Sequence, residues 1–123
     1  MTLILHIATR QEWENAQSLG IYRTRSLDTQ GFIYCSYPDQ LVKIANQLFH
    51  GHKDLVLLLI ESNRVHSDVR EDEGTDTHPY IYGPLNLDSV SRVLDFRPNK
   101  YGDFEMPANL AQPPKKESAK PTV

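Results

Sequence analysis

Alternating runs of hydrophobic and polar residues divide the first half of the chain into strands and helices. In residues 3–8, aliphatic residues flank the single polar position His6, and this pattern predicts a strand near the centre of a sheet. Thr9 suits a helix N-cap because Glu12 follows three residues later, as in a capping box. Gly20 suits the end of that helix, since glycine readily adopts a positive φ. A strand followed directly by a helix is therefore expected.

A second strand, a second helix and a third strand follow. Residues 31–36 are rich in aromatic and β-branched side chains, which predicts a strand that ends before Pro38. Apolar residues then recur at helical spacing and predict an amphipathic helix that lies on a sheet: Leu41, Ile44, Ala45, Leu48 and Phe49. Residues 55–61 form a nearly continuous aliphatic run, which is typical of a strand covered on both faces. This strand is predicted to be the centre of the sheet.

The second half of the chain contains shorter elements. Residues 65–73 mix single apolar residues with charges, which predicts an edge strand or exposed ribbon, and residues 74–79 read as a loop. A compact aromatic segment over residues 80–85 is interrupted by a Gly-Pro pair. Residues 87–92 favour a helical turn, and residues 93–97 a last strand. The predicted class is α+β.

The last sixteen residues differ in composition from the rest of the 123-residue chain. Residues 108–123 are rich in Pro, Lys, Ser and Ala and contain no aromatic residue. Such a segment cannot bury enough apolar surface to offset the entropy lost on ordering. We therefore expect one α+β domain over residues 1–107 and a disordered tail over residues 108–123.

Charge and apolar content limit the classes of function. With 13 Lys and Arg against 16 Asp and Glu, the net charge is −3, and general nucleic-acid binding is not expected. Cys35, the single cysteine, has no partner for an intramolecular disulfide, and the longest apolar run, residues 55–60, is too short to cross a membrane. A cytoplasmic protein without membrane contact is expected, and the sequence leaves its oligomeric state open.

Several short segments of the sequence resemble the sequences of a bacterial family catalogued as domain of unknown function 952. The most specific of them are residues 31–36 (GFIYCS) and residues 81–85 (IYGPL). The others are Leu5-His6-Ile7, Trp13 before Ala16, Gly20-Ile21-Tyr22, Ser26-Leu27, Gln40, Ala45-Asn46, residues 54–58 and Val69-Arg70. Together they cover most of the chain before the tail, and the chain is identified as resembling that family.

The resemblance implies a fold like that of ADP-ribosyltransferases and tRNA 2′-phosphotransferases. In that fold two small, mostly antiparallel sheets, flanked by two or three helices, form a cleft for NAD. His6 matches the first-strand position that holds the nicotinamide ribose, and Tyr34 to Ser36 match the second-strand position beside the nicotinamide. The implied ligand is NAD or an ADP-ribose compound, and the implied activity is that of a transferase.

The candidate site residues follow from this resemblance and from the chemistry of each side chain. The cofactor-binding set is His6, Tyr34, Ser36, Arg70 and Tyr82, and the catalytic set is His6, Ser36 and Glu71. Arg70 offers paired donors to a phosphate, as Arg23 and Arg25 also do. Glu71 has the carboxylate that orients a ribose hydroxyl or stabilises positive charge. The cleft is expected to be lined by the cofactor-binding set rather than by His50 and His52.

A second hypothesis is a protein without catalytic activity. Tyr34 and Tyr80 occupy positions where the family commonly has histidine, and a phenol with a pKa of about 10 is a poor proton shuttle at neutral pH. His6 can equally be a buried histidine with hydrogen-bonded nitrogens. The alternative is therefore a binding or regulatory module that keeps the fold without the catalytic set. No metal is expected, because the remaining histidines follow no regular ligand spacing.

Overall fold

The computed structural model of the chain describes residues 2–71, 74 and 77–111. It is an α+β protein with small antiparallel sheets. In chain order the main elements are β1 (Leu3–Thr9), α1 (Arg10–Leu19), β2 (Ile21–Tyr22), α2 (Arg25–Gln30), β3 (Ile33–Tyr34), α3 (Leu41–Leu48), β4 (Leu55–Glu61), β5 (Asp68–Glu71), β6 (Pro79–Tyr82), β7 (Leu85–Asn86), β8 (Val90–Phe96) and α4 (Ala108–Ala111).

The largest sheet has the strand order β1-β4-β8, so the prediction that residues 55–61 form its centre is confirmed. The prediction that the first strand is central is wrong. β1 lies on one side of β4, and on its other side a single residue, Leu5, pairs with a described residue, Ser36. The other described strands form the sheets β3-β6-β5 and β2-β7, so there are three small sheets where two were expected.

Apolar residues lie on both faces of the largest sheet, because its strands β1 and β4 are hydrophobic at nearly every position. On one face Ile4, Ala8 and Leu58 pack against Tyr22 and Ile33. On the other face a second cluster forms with α3 and the residues after β8; it contains Leu5, Ile7, Leu41, Leu57 and Phe104. The sheet therefore separates two cores, and β1 contributes to both.

Local capping explains where the first two helices begin and end. The Thr9 hydroxyl accepts from the Glu12 amide at 3.0 Å, the Thr9 amide donates to Glu12 Oε1 at 3.0 Å, and Gly20 closes α1 with φ 81°. This confirms the predicted capping box. The helix α2 was not predicted, because among its six residues only Leu27 is apolar and no periodic pattern arises. Its N-cap, Thr24, accepts from the Leu27 amide at 3.1 Å.

The later elements agree with the predicted pattern in most places. β5 lies on the outside of its sheet, and Leu87–Ser89 form a 3-10 turn. The last strand begins at Val90, three residues earlier than expected, because β8 pairs with β4 along its length. Within the described ranges no helix is long and apolar enough to cross a membrane.

The predicted tail begins in a region that the structure partly describes. Ala108–Ala111 form the short helix α4, and Leu110 packs against the core cluster that contains Phe104. Residues 108–111 are therefore helical in the structure, and the boundary between domain and tail stays a prediction. The remaining part of that prediction, residues 112–123, lies outside the described residues.

Candidate ligand-binding site

A cavity of about 350 Å³ opens beside β1, on the side that faces away from β4. Its walls come from β1, the first turns of α1 and α2, the segment after β3, and α3 with the residues that follow it. The apolar lining residues are Leu5, Ile7, Cys35, Ile44, Leu48 and Phe49, and the polar ones are His6, Thr9, Glu12, Thr24, Arg25, Ser26, Tyr34, Ser36 and His52. Its volume is within the range of small-molecule sites, which is roughly 300–1,000 Å³.

The backbone of β1 presents one open hydrogen-bonding position to this cavity. Alternate residues of a strand direct their N–H and C=O groups to the same side. Leu5 pairs outward with Ser36 through two bonds of 2.8 Å, and the outward Thr9 N–H is taken by Glu12. Ile7 lies between them, and neither its N–H nor its C=O has a partner among the described residues. The edge of β1 is thus closed at Leu5 and Thr9 and open at Ile7.

His6 is buried beside this opening, and both of its ring nitrogens are hydrogen-bonded. Nδ1 lies 2.5 Å from the Tyr34 carbonyl oxygen, and Nε2 lies 2.7 Å from the Tyr22 hydroxyl. A carbonyl can only accept, so Nδ1 carries the proton and Tyr22 donates to Nε2. Burial lowers the pKa of His6 below its ordinary value of 6.5, although the bond to Tyr34 opposes this. His6 is therefore neutral near pH 7.

The other titratable groups around His6 also stay uncharged. Burial, with a smaller contribution from Glu12, raises the pKa of the Tyr22 hydroxyl, and burial raises the pKa of the Cys35 thiol. Cys35 is thus a protonated thiol, which is a weak nucleophile. The buried groups His6, Tyr22 and Cys35 are thus neutral, and Glu12 and Arg25 are charged residues that line the same cavity.

Three of the predicted site residues line one cavity. Ser36 is buried and joins β1 through Leu5, while Tyr34 is 46% exposed and donates from its hydroxyl to Gln30 at 2.7 Å. Together with His6 they lie on two elements that the Leu5–Ser36 bridge holds side by side. The resemblance predicted these three as neighbours, and the structure brings them together.

This cavity is not lined by Arg70 or Tyr82, which were expected in the cleft, or by Glu71, the predicted catalytic carboxylate. Arg70 lies over the ring of Tyr82, with 5.7 Å from its guanidinium carbon to the ring centroid. Strand alternation places both side chains on the solvent side of the sheet β3-β6-β5, while Ile81 points into the core. Glu71 accepts a hydrogen bond from the Tyr37 hydroxyl, and burial and this bond raise the pKa of Tyr37 to about 12.

The sequence did not indicate the part of the cavity that α2 and α3 provide. His52, expected outside the site, lines the cavity together with Phe49, because the chain after α3 folds back beside β1. Arg25 lines it as well, whereas Arg23 is paired with Asp28 at 2.9 Å on the surface. Thr24 and Gly31 cap the two ends of α2, and they were the only local signals that could have indicated the part of the cavity that α2 provides.

Metal binding finds no support in the part of the chain that the structure describes. No three His, Cys, Asp or Glu side chains within it are grouped closely enough to hold an ion.

The sequence strings noted above and the antiparallel α+β fold are consistent with one family. The family model described as "Protein of unknown function (DUF952)" matches residues 7–93, and the chain belongs to that family. A search of curated proteins with this chain found no match.

Solved structures agree with the fold. The crystal structure of protein CC0527 from Caulobacter crescentus, and that of a double mutant of it, are each 29% identical to this chain with a TM-score of 0.82. Both comparisons cover 90% of this chain and 100% of the other. The solution NMR structure of CC0527 has a TM-score of 0.72 over 90% of this chain and 98% of the other.

Proposed function

We propose that the protein is a binding module for a small molecule that carries a carboxamide on a planar ring, with NAD as the leading candidate. The observation that carries the proposal is the open N–H and C=O pair of Ile7 in the cavity. A primary carboxamide has one acceptor and two donors, so it can bond to both groups as a neighbouring strand would. The nicotinamide of NAD has this group.

The surroundings of Ile7 support a ring and a charged extension. Ile44, Leu48 and Phe49 supply apolar surface for the faces of a planar ring. Arg25, which is exposed and lines the cavity, offers paired N–H donors to a phosphate outside it. The resemblance to the ADP-ribosyltransferase fold adds to the proposal, since it implies a nicotinamide beside His6 and Tyr34.

Binding without turnover fits the side chains better than transfer does. Both nitrogens of His6 are occupied by Tyr34 and Tyr22, and burial keeps the ring neutral. Glu71, the carboxylate predicted for catalysis, is outside the cavity and bonded to Tyr37. A module that recognises its ligand without cleaving it needs neither group to be free.

The proposal predicts a specific ligand preference that calorimetry can measure. Nicotinamide and NAD are expected to bind, whereas nicotinic acid, whose carboxylate cannot donate to the Ile7 carbonyl, should bind at least about tenfold more weakly. In Ile44→Trp the larger side chain narrows the cavity, and binding of nicotinamide should be lost. Val93→Trp is the matched control, because Val93 is 39% exposed on β8 and outside the cavity.

Equal binding of nicotinamide and nicotinic acid would contradict the carboxamide proposal. Unchanged nicotinamide affinity in a folded Ile44→Trp variant would place the ligand elsewhere. Circular dichroism of both tryptophan variants checks that each is folded.

A transferase is the second candidate, and one observation favours it: His6, Tyr34 and Ser36 line one cavity. Incubation of the protein with NAD, followed by measurement of free nicotinamide, separates the two functions. The binding module predicts no release above the rate of a buffer control. If the wild type and Val93→Trp release nicotinamide from NAD and Ile44→Trp does not, the transferase is the correct function.

A further inference from the structure

Four aromatic rings lie together on the solvent side of the sheet β3-β6-β5. We call this surface the aromatic face, and it consists of Phe32, Tyr34, Tyr80 and Tyr82. Phe32 is 4.9 Å from Tyr34, 4.9 Å from Tyr80 and 5.6 Å from Tyr82, measured between ring centroids. Tyr34 and Tyr82 are 46% and 44% exposed.

The core does not require these rings, because the same strands fill it with other residues. Ile33, Cys35 and Ile81 alternate with the aromatic residues and point inward, where they are buried. Tyrosine is enriched at binding surfaces, since its ring offers apolar area and its hydroxyl a hydrogen bond. Half-exposed tyrosines on the outer side are therefore available to a planar ligand.

Arg70 adds a positive charge at one end of the aromatic face. It is opposite Tyr80 in the strand register and lies over the ring of Tyr82. Its Nη2 is 3.2 Å from Asp68 Oδ2, and its side chain remains 69% exposed. A guanidinium held beside an exposed ring is the arrangement that binds a phosphate next to a stacked base.

The aromatic face is continuous with the cavity through Tyr34, which belongs to both. The sheet has three strands, so β3 and β5 are roughly 10 Å apart at ordinary strand spacing. One extended dinucleotide can span this distance. The net charge of −3 and the carboxylate of Asp68 beside Arg70 disfavour a long polyanion such as RNA.

We propose that the aromatic face binds the base of an adenine nucleotide, with Arg70 in contact with its phosphate. The inference rests on the proposed function, because this nucleotide is the second half of the ligand whose carboxamide end enters the cavity. The aromatic face is thus a second subsite for NAD, and the same surface binds AMP alone.

Titration of the full chain with AMP tests this subsite. AMP should bind the wild type, and Tyr82→Ala should weaken it by about tenfold, as expected for loss of one stacking contact. Tyr101→Ala is the matched control, since Tyr101 is also exposed and has Lys100 5.2 Å from its ring centroid. Arg70→Gln should weaken AMP but not adenosine, which lacks the phosphate.

Arg97→Gln is the control for Arg70→Gln, because the Arg97 side chain is 75% exposed and is also paired with an aspartate, Asp95, at 3.8 Å. The subsite is refuted if AMP does not bind the wild type. It is also refuted if Tyr82→Ala binds AMP like the wild type, or if Tyr101→Ala and Arg97→Gln weaken AMP as much as the variants of the aromatic face do.

Nicotinamide alone separates this inference from the proposed function. Tyr82→Ala should leave nicotinamide affinity unchanged, and Ile44→Trp should leave AMP affinity unchanged. AMP binding that depends on Tyr82, without nicotinamide binding, would support the subsite and overturn the cavity proposal. Nicotinamide binding without AMP binding would overturn the subsite alone.

Discussion

His6 shows how one residue can match a ligand-binding position and still have a structural role. The resemblance implied contact with a ribose, yet its Nδ1 and Nε2 bond to Tyr34 and Tyr22 and the ring is buried. By these bonds His6 fixes β3 and β2 against β1. In the proposed function, the part of His6 is therefore to hold Tyr34 beside the cavity.

The neutral state of His6 predicts a pH dependence of stability. Its folded-state pKa is lowered by burial, so as the pH falls below about 6.5 the unfolded chain takes up a proton that the folded chain resists. The free energy of unfolding should fall in this window by up to about 1.4 kcal/mol per pH unit. Urea denaturation at about pH 7.5 and about pH 5.5 measures it.

The non-titrating variant His6→Gln should show a flatter dependence than the wild type over this range. His66→Gln makes the same substitution at an exposed position and is the control for the substitution itself. An identical pH slope in His6→Gln and wild type would mean that His6 is not held neutral by the fold.

For single residues, the sequence indicated some of the side chains that line the cavity but not what each of them does there. It selected His6, Tyr34 and Ser36, which the structure brings to one cavity. It could not show that the open position is the backbone of Ile7, because an unpaired amide depends on what pairs with the residues on either side. Arg25 and His52 were missed as lining residues for a similar reason, since no local pattern relates them to β1.

Among the elements, those with strong local signals were predicted best. The capping box of α1, the amphipathic α3 and the central β4 all follow from residues close in sequence. The helix α2 was missed, since six residues with one apolar side chain have no periodicity. The predicted position of β1 was wrong. An edge strand that other segments cover has the same apolar pattern as a central strand, so the sequence does not distinguish the two.

The turn after β6 makes a prediction about one glycine. Gly83 has φ 156°, and a Cβ there would lie 2.9 Å from Ser67 Cβ and closer still to its hydroxyl, which donates to Pro84 O at 2.8 Å. Gly83→Ala should therefore lower the free energy of unfolding by about 1–3 kcal/mol. Gly51→Ala, at φ 77° with nothing within 4 Å, should cost only about 1 kcal/mol.

Chemical denaturation of both alanine variants measures the difference. A Ser67→Gly background should remove the extra cost of Gly83→Ala, because it removes the atoms that collide. Equal costs for Gly83→Ala and Gly51→Ala in the wild-type background would show that the contact with Ser67 does not restrict this turn.

In the whole molecule, the cavity is a gap that β1, the segment after β3 and the helices α1, α2 and α3 leave between them. Ser36 covers the edge of β1 at Leu5, and the capping box of α1 covers it at Thr9. The gap between them is one residue long, and α2 and α3 enclose it. Sequence patterns predict each element but not this gap, since its size depends on how the elements pack.

The Ile7 amide provides the most direct test of the binding account. Hydrogen exchange measured by NMR should be slow for the Leu5 amide, which is bonded to Ser36, and faster for the unpaired Ile7 amide. Nicotinamide should shift the Ile7 amide resonance and slow its exchange, while nicotinic acid at the same concentration has little effect. Nicotinamide that binds without changing the Ile7 amide, or an Ile7 amide as protected as that of Leu5 in the free protein, would contradict the account.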